Sequence, residues 1–207
     1  MERPPWSRTR RLHSISGVVP IGAFLVLHLW TNAAASGGAD AYNAAARRLQ
    51  ELPFLVVLEI LFIGLPIFFH GIYGFYITAT ESPAAAGRTP VRRALAVFQR
   101  VTGIGAFVFI LFHLWTSRLV QLHDHEALDL FRLMQAALAS PWIRAGYAAG
   151  ILAATAHFSA GLWTFCETWG FLPGRRARVA LAVAAAGIFC LLSGLGLKSL
   201  SAFRLPL

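Results

Sequence analysis

The chain has 207 residues, 57% of them hydrophobic and only 13% charged, with a mean hydropathy of +0.62. A soluble domain of this size carries nearly twice that share of charge, so a soluble enzyme is excluded and a membrane protein is indicated. The net charge of +9 comes mostly from arginines gathered in short segments beside apolar runs, a pattern of membrane topology and not of nucleic-acid binding.

The N-terminal segment MERPPWSRTRRLHS is basic. The apolar run after it holds a histidine and no small-residue cleavage signature, so it reads as a retained first span. Bounded by the nearest charges, five runs follow in order: Arg11 to Asp40, Glu51 to Glu81, Arg100 to Arg118, Arg144 to Glu167, and Arg178 to Lys198. Their apolar cores fall at roughly 14–36, 53–78, 100–118, 143–166 and 179–198, each near the length that crosses the hydrocarbon as a helix. The expected fold is an all-α integral membrane bundle of five helices forming one domain over residues 1–207.

With the N-terminus inside, the inner segments hold Arg3, Arg8, Arg10, Arg11, Arg88, Arg92, Arg93, Arg100, Arg175, Arg176 and Arg178. That excess places the N-terminus on the cytoplasmic, or matrix, side. Two outer segments, ADAYNAAARRLQ and HDHEALDLFRLMQAALAS, read as short interfacial helices, with Asp40 and Asp124 as their N-caps. Pro20, Pro53 and Pro66 lie in or at the edges of spans, where kinks are expected. Cys166 and Cys190 form no CxxC or CxxCH pattern, which leaves no support for a disulfide framework or a covalently attached haem.

Four histidines sit one per span: His28, His70, His113 and His157. A single intramembrane histidine is often just an interhelical hydrogen bond. Here the sequence repeats itself, with LHLWT at 27–31 against FHLWT at 112–116, and HGIYG at 70–74 against HFSAG at 157–161. Glu81 and Glu167 close the second and fourth spans at nearly equal distances from their histidines.

Counting residues from the inner charges at about 1.5 Å each groups His28 with His113 and His70 with His157, the pairs differing in depth by roughly 5 to 10 Å. Two imidazoles facing one another at one depth are what a six-coordinate haem requires, so two pairs point to two b-type haems. Gly74 and Gly161, four residues after their histidines, lie on the same helix face and would let a porphyrin approach the backbone; small-residue helix packing is the alternative. Zinc or copper would need ligands converging with Cys or carboxylate, and the cluster His123, Asp124, His125, Glu126 reads as a solvated loop.

Together, RRLHSISGVVPIGAFLVLHLW, LPFLVVLEILFIGLPIFFHGIYGFY, FQRVTGIGAFVFILFHLW and HFSAGLWTFCETWG resemble the di-haem cytochrome b membrane anchor of succinate:quinone oxidoreductases, in its single-polypeptide five-helix form. The resemblance implies a respiratory complex in a bacterial cytoplasmic membrane. Its partners would be a flavoprotein subunit carrying FAD and an iron-sulfur subunit docked on the cytoplasmic face. It also implies that His70 and His157 hold the haem proximal to the iron-sulfur subunit, that His28 and His113 hold the distal haem, and that menaquinone reacts near the distal one.

Glu59 is the carboxylate within a span, on the outer side of His70, and suits proton exchange at the quinone site; helix pairing is the alternative. His13, Ser16 and Arg100 lie at the inner ends of the first and third spans, where haem propionates would want donors. Competing readings are a fumarate reductase anchor working in reverse, a cytochrome b anchor of a hydrogenase or formate dehydrogenase, and a haem-free transporter with a histidine relay.

Overall fold

The computed structural model describes residues 8–82, 89–119, 129–171 and 174–204. Regular structure among them is helical throughout, and five helices are long and apolar enough to cross a membrane. They are the first span Arg8–Gly37, the second Leu55–Thr80, the third Pro90–Ser117, the fourth Pro141–Thr168 and the fifth Gly174–Ala202.

Proline explains where the spans depart from regular α-helix. Pro20 has no N–H to offer the Ser16 carbonyl, and the first span divides there into Arg8–Val18 and Pro20–Asn32. Continuity is kept on either side, since the Val19 N–H reaches the Ile15 oxygen at 2.8 Å and the Ala23 N–H reaches the Val19 oxygen at 3.1 Å. In the second span a π-helical turn, Glu59–Gly64, stands just before Pro66 and separates Leu55–Leu58 from Leu65–Thr80. Pro90 and Pro141 occupy first-turn positions of the third and fourth spans, where the missing N–H costs nothing.

Two short helices, Ala39–Gln50 and Leu130–Ala137, lie at the end of the bundle opposite residue 8. The cap of the first is Gly38, not Asp40: the chain turns there at φ 86°, a left-handed backbone that glycine adopts freely. Asp40 instead sits in the first helical turn, where its charge complements the helix dipole. Asp129 caps the second helix, its Oδ1 accepting the Arg132 N–H at 3.0 Å. Asp124 lies outside the described residues, as do His123, His125 and Glu126.

Asn43, buried in the first short helix, joins the two: its Nδ2 donates to Asp129 Oδ1 at 2.8 Å and its Oδ1 accepts the Phe131 N–H at 3.0 Å. Beneath them a buried cluster of Ala35, Met134, Leu138, Tyr147, Leu200 and Phe203 closes this end.

Between the spans the interior is small and polar. Ser16, Thr155, Ser159, Ser193 and Ser199 are buried, while Phe62, Phe68, Val108 and Val183 face outward. That inversion suits a solvent of acyl chains, where helices associate through small residues and hydrogen bonds. Trp30, Trp115 and Trp142, all near the capped end, are 72%, 68% and 84% exposed, as interfacial aromatic anchors are. The third span packs along the fourth, the fourth along the fifth, and the first against the second and fourth.

Candidate functional site

Each of the four span histidines meets one other across the bundle. The rings of His70 and His157 lie 6.0 Å apart between centroids, at 78° to one another. Those of His28 and His113 lie 5.6 Å apart at 69°. With metal–nitrogen bonds of about 2.0 Å on each side, two imidazoles on one metal ion have centroids about 6 Å apart. Both pairs take one histidine from the first two spans and one from the next two.

The His70/His157 pair sits toward the arginine-rich end, and its local construction repeats in both halves of the chain. His70 Nδ1 lies 3.0 Å from the His13 carbonyl oxygen, and His157 Nδ1 lies 3.0 Å from the Gln99 carbonyl oxygen. A carbonyl can only accept, so each Nδ1 carries the proton and each Nε2 keeps a free lone pair, the arrangement of a metal-ligating imidazole.

What brings the rings so close to a neighbouring backbone is glycine. A Cβ built on Gly17 would run into the His70 ring, and one on Gly103 would stand 2.8 Å from Cε1 and 3.0 Å from Nδ1 of His157. Ser16 and Thr102 precede these glycines. The Ser16 hydroxyl donates to the His13 carbonyl at 2.8 Å and lies 3.2 Å from His70 Nδ1. Gly17, Gly103 and Gln99 were not singled out from sequence; Gly17 stands eleven residues before His28 and Gly103 ten before His113, one residue out of register with the HLWT repeat.

Gly74 and Gly161 also occupy equivalent places: a Cβ on Gly74 would lie 3.3 Å from His13 Nε2, and one on Gly161 would lie 3.4 Å from Gln99 Nε2. The His13 ring stacks on His70 with centroids 4.0 Å apart and planes 6° from parallel. Three of the buried side-chain atoms without a hydrogen-bond partner, His13 Nε2, Gln99 Oε1 and Trp169 Nε1, belong to this end of the bundle. The Arg11 guanidinium lies 5.5 Å over the Trp169 ring. Arg100 is half-buried beside Gln99.

The His28/His113 pair is set differently. Asn32 Nδ2 lies 3.3 Å from His28 Nε2 and donates to the His28 carbonyl at 2.7 Å, while Tyr42 Oη donates to Asn32 Oδ1 at 3.2 Å. Burial, with Tyr147 nearby, pushes the Tyr42 hydroxyl up to about 12, so it remains a donor at neutral pH. On the other side His113 Nδ1 lies 3.3 Å from Tyr147 Oη, which shares a hydrogen bond of 2.6 Å with Thr116. An amide N–H can only donate, so His28 Nε2 accepts from Asn32, whereas the Tyr147 hydroxyl can donate or accept and by itself leaves the His113 tautomer open. Glu59 is half-buried in the π-helical turn of the second span, which packs against the first.

The residues present fit haem. Two facing imidazole pairs would supply nitrogen donors to iron, and unpartnered ring nitrogens such as His13 Nε2 and Trp169 Nε1 at the arginine-rich end would suit carboxylate propionates. Fold and site together define a helical membrane protein with five candidate spans and two transverse histidine pairs.

The model of a family described as succinate dehydrogenase/fumarate reductase transmembrane subunit matches residues 82–193. The succinate dehydrogenase cytochrome b558 subunit of Bacillus subtilis (strain 168) is 41% identical over 194 residues, covering 94% of this chain and 95% of that protein. The chain belongs to the succinate dehydrogenase/fumarate reductase transmembrane subunit family.

Proposed function

We propose that this chain is the membrane anchor and di-haem cytochrome b subunit of a succinate:quinone oxidoreductase, seated in a bacterial cytoplasmic membrane with its N-terminus inside. Its partners are a flavoprotein carrying FAD and an iron-sulfur subunit docked on the arginine-rich end. The observation that carries this reading is the pair of transverse histidine contacts, with the His70 and His157 tautomers set by backbone carbonyls. Kinship to the Bacillus subtilis cytochrome b558 subunit supports it.

Bound haem supplies one-electron transfer between the iron-sulfur partner and quinone. The chain's own residues do the rest. His70 and His157 hold the proximal group and His28 and His113 the distal one, each through a ring nitrogen. Gly74 and Gly161 leave room beside the proximal pair, and His13, Ser16 and Arg100 supply polar groups to the propionates. Glu59 exchanges protons with menaquinone at the capped end. The family description covers both succinate oxidation and fumarate reduction, and the same anchor serves either, the direction following from the potentials of haem and quinone.

A reduced-minus-oxidised spectrum with quantitative pyridine haemochrome on the purified complex tests the assignment, using His28→Ala, His70→Ala, His113→Ala and His157→Ala. Two b haems per chain are expected, each variant losing one, with equivalent losses within 28/113 and within 70/157. No haem, or haem that survives all four changes, refutes the reading. Glu59→Gln is expected to slow quinone turnover and change its pH profile; an unchanged profile removes Glu59 from the proton path.

A further inference from the structure

Beside the His28/His113 pair a phenol is buried among apolar side chains. Tyr147, on the fourth span, is 4% exposed and clusters with Met134, Leu138, Leu200 and Phe203. A phenylalanine would fill the same space without a polar group to satisfy, so the hydroxyl has a use. Two side-chain atoms meet it, His113 Nδ1 at 3.3 Å and Thr116 Oγ1 at 2.6 Å, both from the third span.

Counting protons gives these contacts a direction. Thr116 has one hydroxyl proton and turns it back on its own helix, with the Phe112 carbonyl oxygen at 3.0 Å and the His113 carbonyl oxygen at 3.3 Å. A carbonyl can only accept, so Thr116 Oγ1 meets Tyr147 with a lone pair, and the phenol donates to it. That donation uses the single hydroxyl proton of Tyr147 and leaves its Oη to accept from His113. Nδ1 of His113 therefore carries a proton and Nε2 keeps its lone pair, the tautomer that the His13 and Gln99 carbonyls impose on His70 and His157. The opposite direction would turn the Thr116 and Phe112 oxygens on one another, lone pair to lone pair, at 3.0 Å.

The phenol ring is held edge-on by Phe109 at 5.4 Å and 83°, and by the His113 ring itself at 5.6 Å and 82°. Phe109 in turn stacks on His113 at 5.7 Å and 25°, its ring seated where Gly150 has no side chain. We infer that Tyr147 is the positioning residue of the distal haem, fixing the tautomer and plane of His113, with Thr116 setting the direction of its hydroxyl. The inference rests on the haem-binding function proposed above. Accepting a hydrogen bond from Nδ1–H makes the imidazole a more basic ligand, which favours ferric over ferrous iron. In the other copy of the repeat Thr31 makes the same backward bond, to the Leu27 carbonyl at 2.8 Å, but there Asn32 stands against the histidine. The control that Tyr147 exerts thus belongs to one ligand of one pair.

The test is redox titration of the purified complex with haem quantification, together with the ferric low-spin EPR signal, whose largest g value follows the angle between the imidazole planes. The midpoint that persists in His28→Ala marks the proximal haem. Tyr147→Phe is expected to keep both haems and the proximal midpoint. It should favour reduction of the distal iron about fivefold, the worth of one hydrogen bond, which is about 40 mV upward, and move the distal g value. Thr116→Val should shift the distal midpoint the same way by less, since the phenol becomes a poorer acceptor, and Thr116→Ser should match the parent. Because Thr116 acts through Tyr147, the double variant should equal Tyr147→Phe. A distal midpoint and g value unmoved in Tyr147→Phe overturn the inference and leave the haem-binding function standing. Equal shifts of both haems, or shifts that add in the double variant, report a loosened bundle and also overturn it. If Tyr147→Phe loses the distal haem outright, the Thr116 variants decide: a shift in valine restored in serine supports the relay, and no shift overturns it. Absence of haem from the parent complex overturns both readings.

Discussion

A methyl group added at Gly103 would stand 2.8 Å from Cε1 of His157, closer than carbon atoms pack, whereas one added at Gly146 would meet nothing within 4 Å. Because the His157 ring is held by the Gln99 carbonyl at 3.0 Å, it can yield only by giving up that bond. Overpacking of this kind costs about 1–3 kcal/mol, and here the cost falls on a proposed iron ligand. Gly103→Ala is therefore expected to lower haem content toward half that of the parent, or to shift one of two midpoint potentials, while Gly146→Ala changes neither. Redox titration with haemochrome quantification reads both. Normal haem and potentials in Gly103→Ala would show that the close approach is dispensable. Gly17→Ala should behave alike through His70. The sequence made the four histidines legible because polar residues in apolar runs stand out and because HLWT and HxxxG recur. It did not expose Gly17, Gly103 or Gln99, since a glycine in a span reads equally as plain helix packing and a carbonyl acceptor has no residue signature.

At the scale of elements, the capped end depends on Asn43, which ties Ala39–Gln50 to the start of Leu130–Ala137 through Asp129 and the Phe131 N–H. Asn43→Ala leaves that partly buried N–H unpaired, at about 1 kcal/mol. Hydrogen exchange over 130–137 should accelerate accordingly at neutral pH; an unaltered rate would mean the two helices are held by apolar contacts alone. The Asn43 amide and the Arg132 N–H hold the Asp129 carboxyl below its ordinary 3.8. A depressed carboxylate contributes stability that is full above its unfolded value and lost as pH falls through the lower folded one. In the parent chain, protection over 130–137, taken relative to the intrinsic exchange rate at each pH, should therefore fall only in acid, below the ordinary carboxylate range, and in Asn43→Ala that acid step should shrink. Five spans were readable from the distance between charges, because length and apolarity alone decide whether a helix can cross a membrane. The cap of the first short helix was not, because Gly38 acts through its backbone while Asp40 offered a more familiar side chain. Nor was the π-helical turn at Glu59–Gly64, whose extra residue follows from Pro66 and from packing on the first span.

For the whole molecule, the repeat makes two helix pairs of similar construction, and each is latched at the arginine-rich end by an ion pair, Arg10 with Glu81 and Arg92 with Glu167. Within each half the second helix rests its histidine on the first: His70 on the His13 carbonyl, His157 on the Gln99 carbonyl. Across the halves the relation reverses, because each of the two transverse pairs draws one ring from residues 28–70 and the other from residues 113–157. The one imidazole contact within a half, His13 on His70, is a parallel stack 4.0 Å apart that leaves no room for an iron between ring nitrogens, so among the described residues neither half offers two nitrogen donors to one iron. Haem held as proposed would then join the halves, and its binding free energy would add to their association. Chains split between residues 87 and 88 provide the test. Expressed singly, residues 1–87 and 88–207 should yield membranes without the six-coordinate b spectrum. Co-expressed, they should restore it and co-purify, and His70→Ala in one fragment should weaken that co-purification as well as the colour. If either fragment alone gives the full spectrum, the transverse pairing is wrong and the ligands lie within a half. If the fragments co-purify equally with and without haem, the apolar and ion-pair contacts between spans are sufficient and haem adds little to assembly.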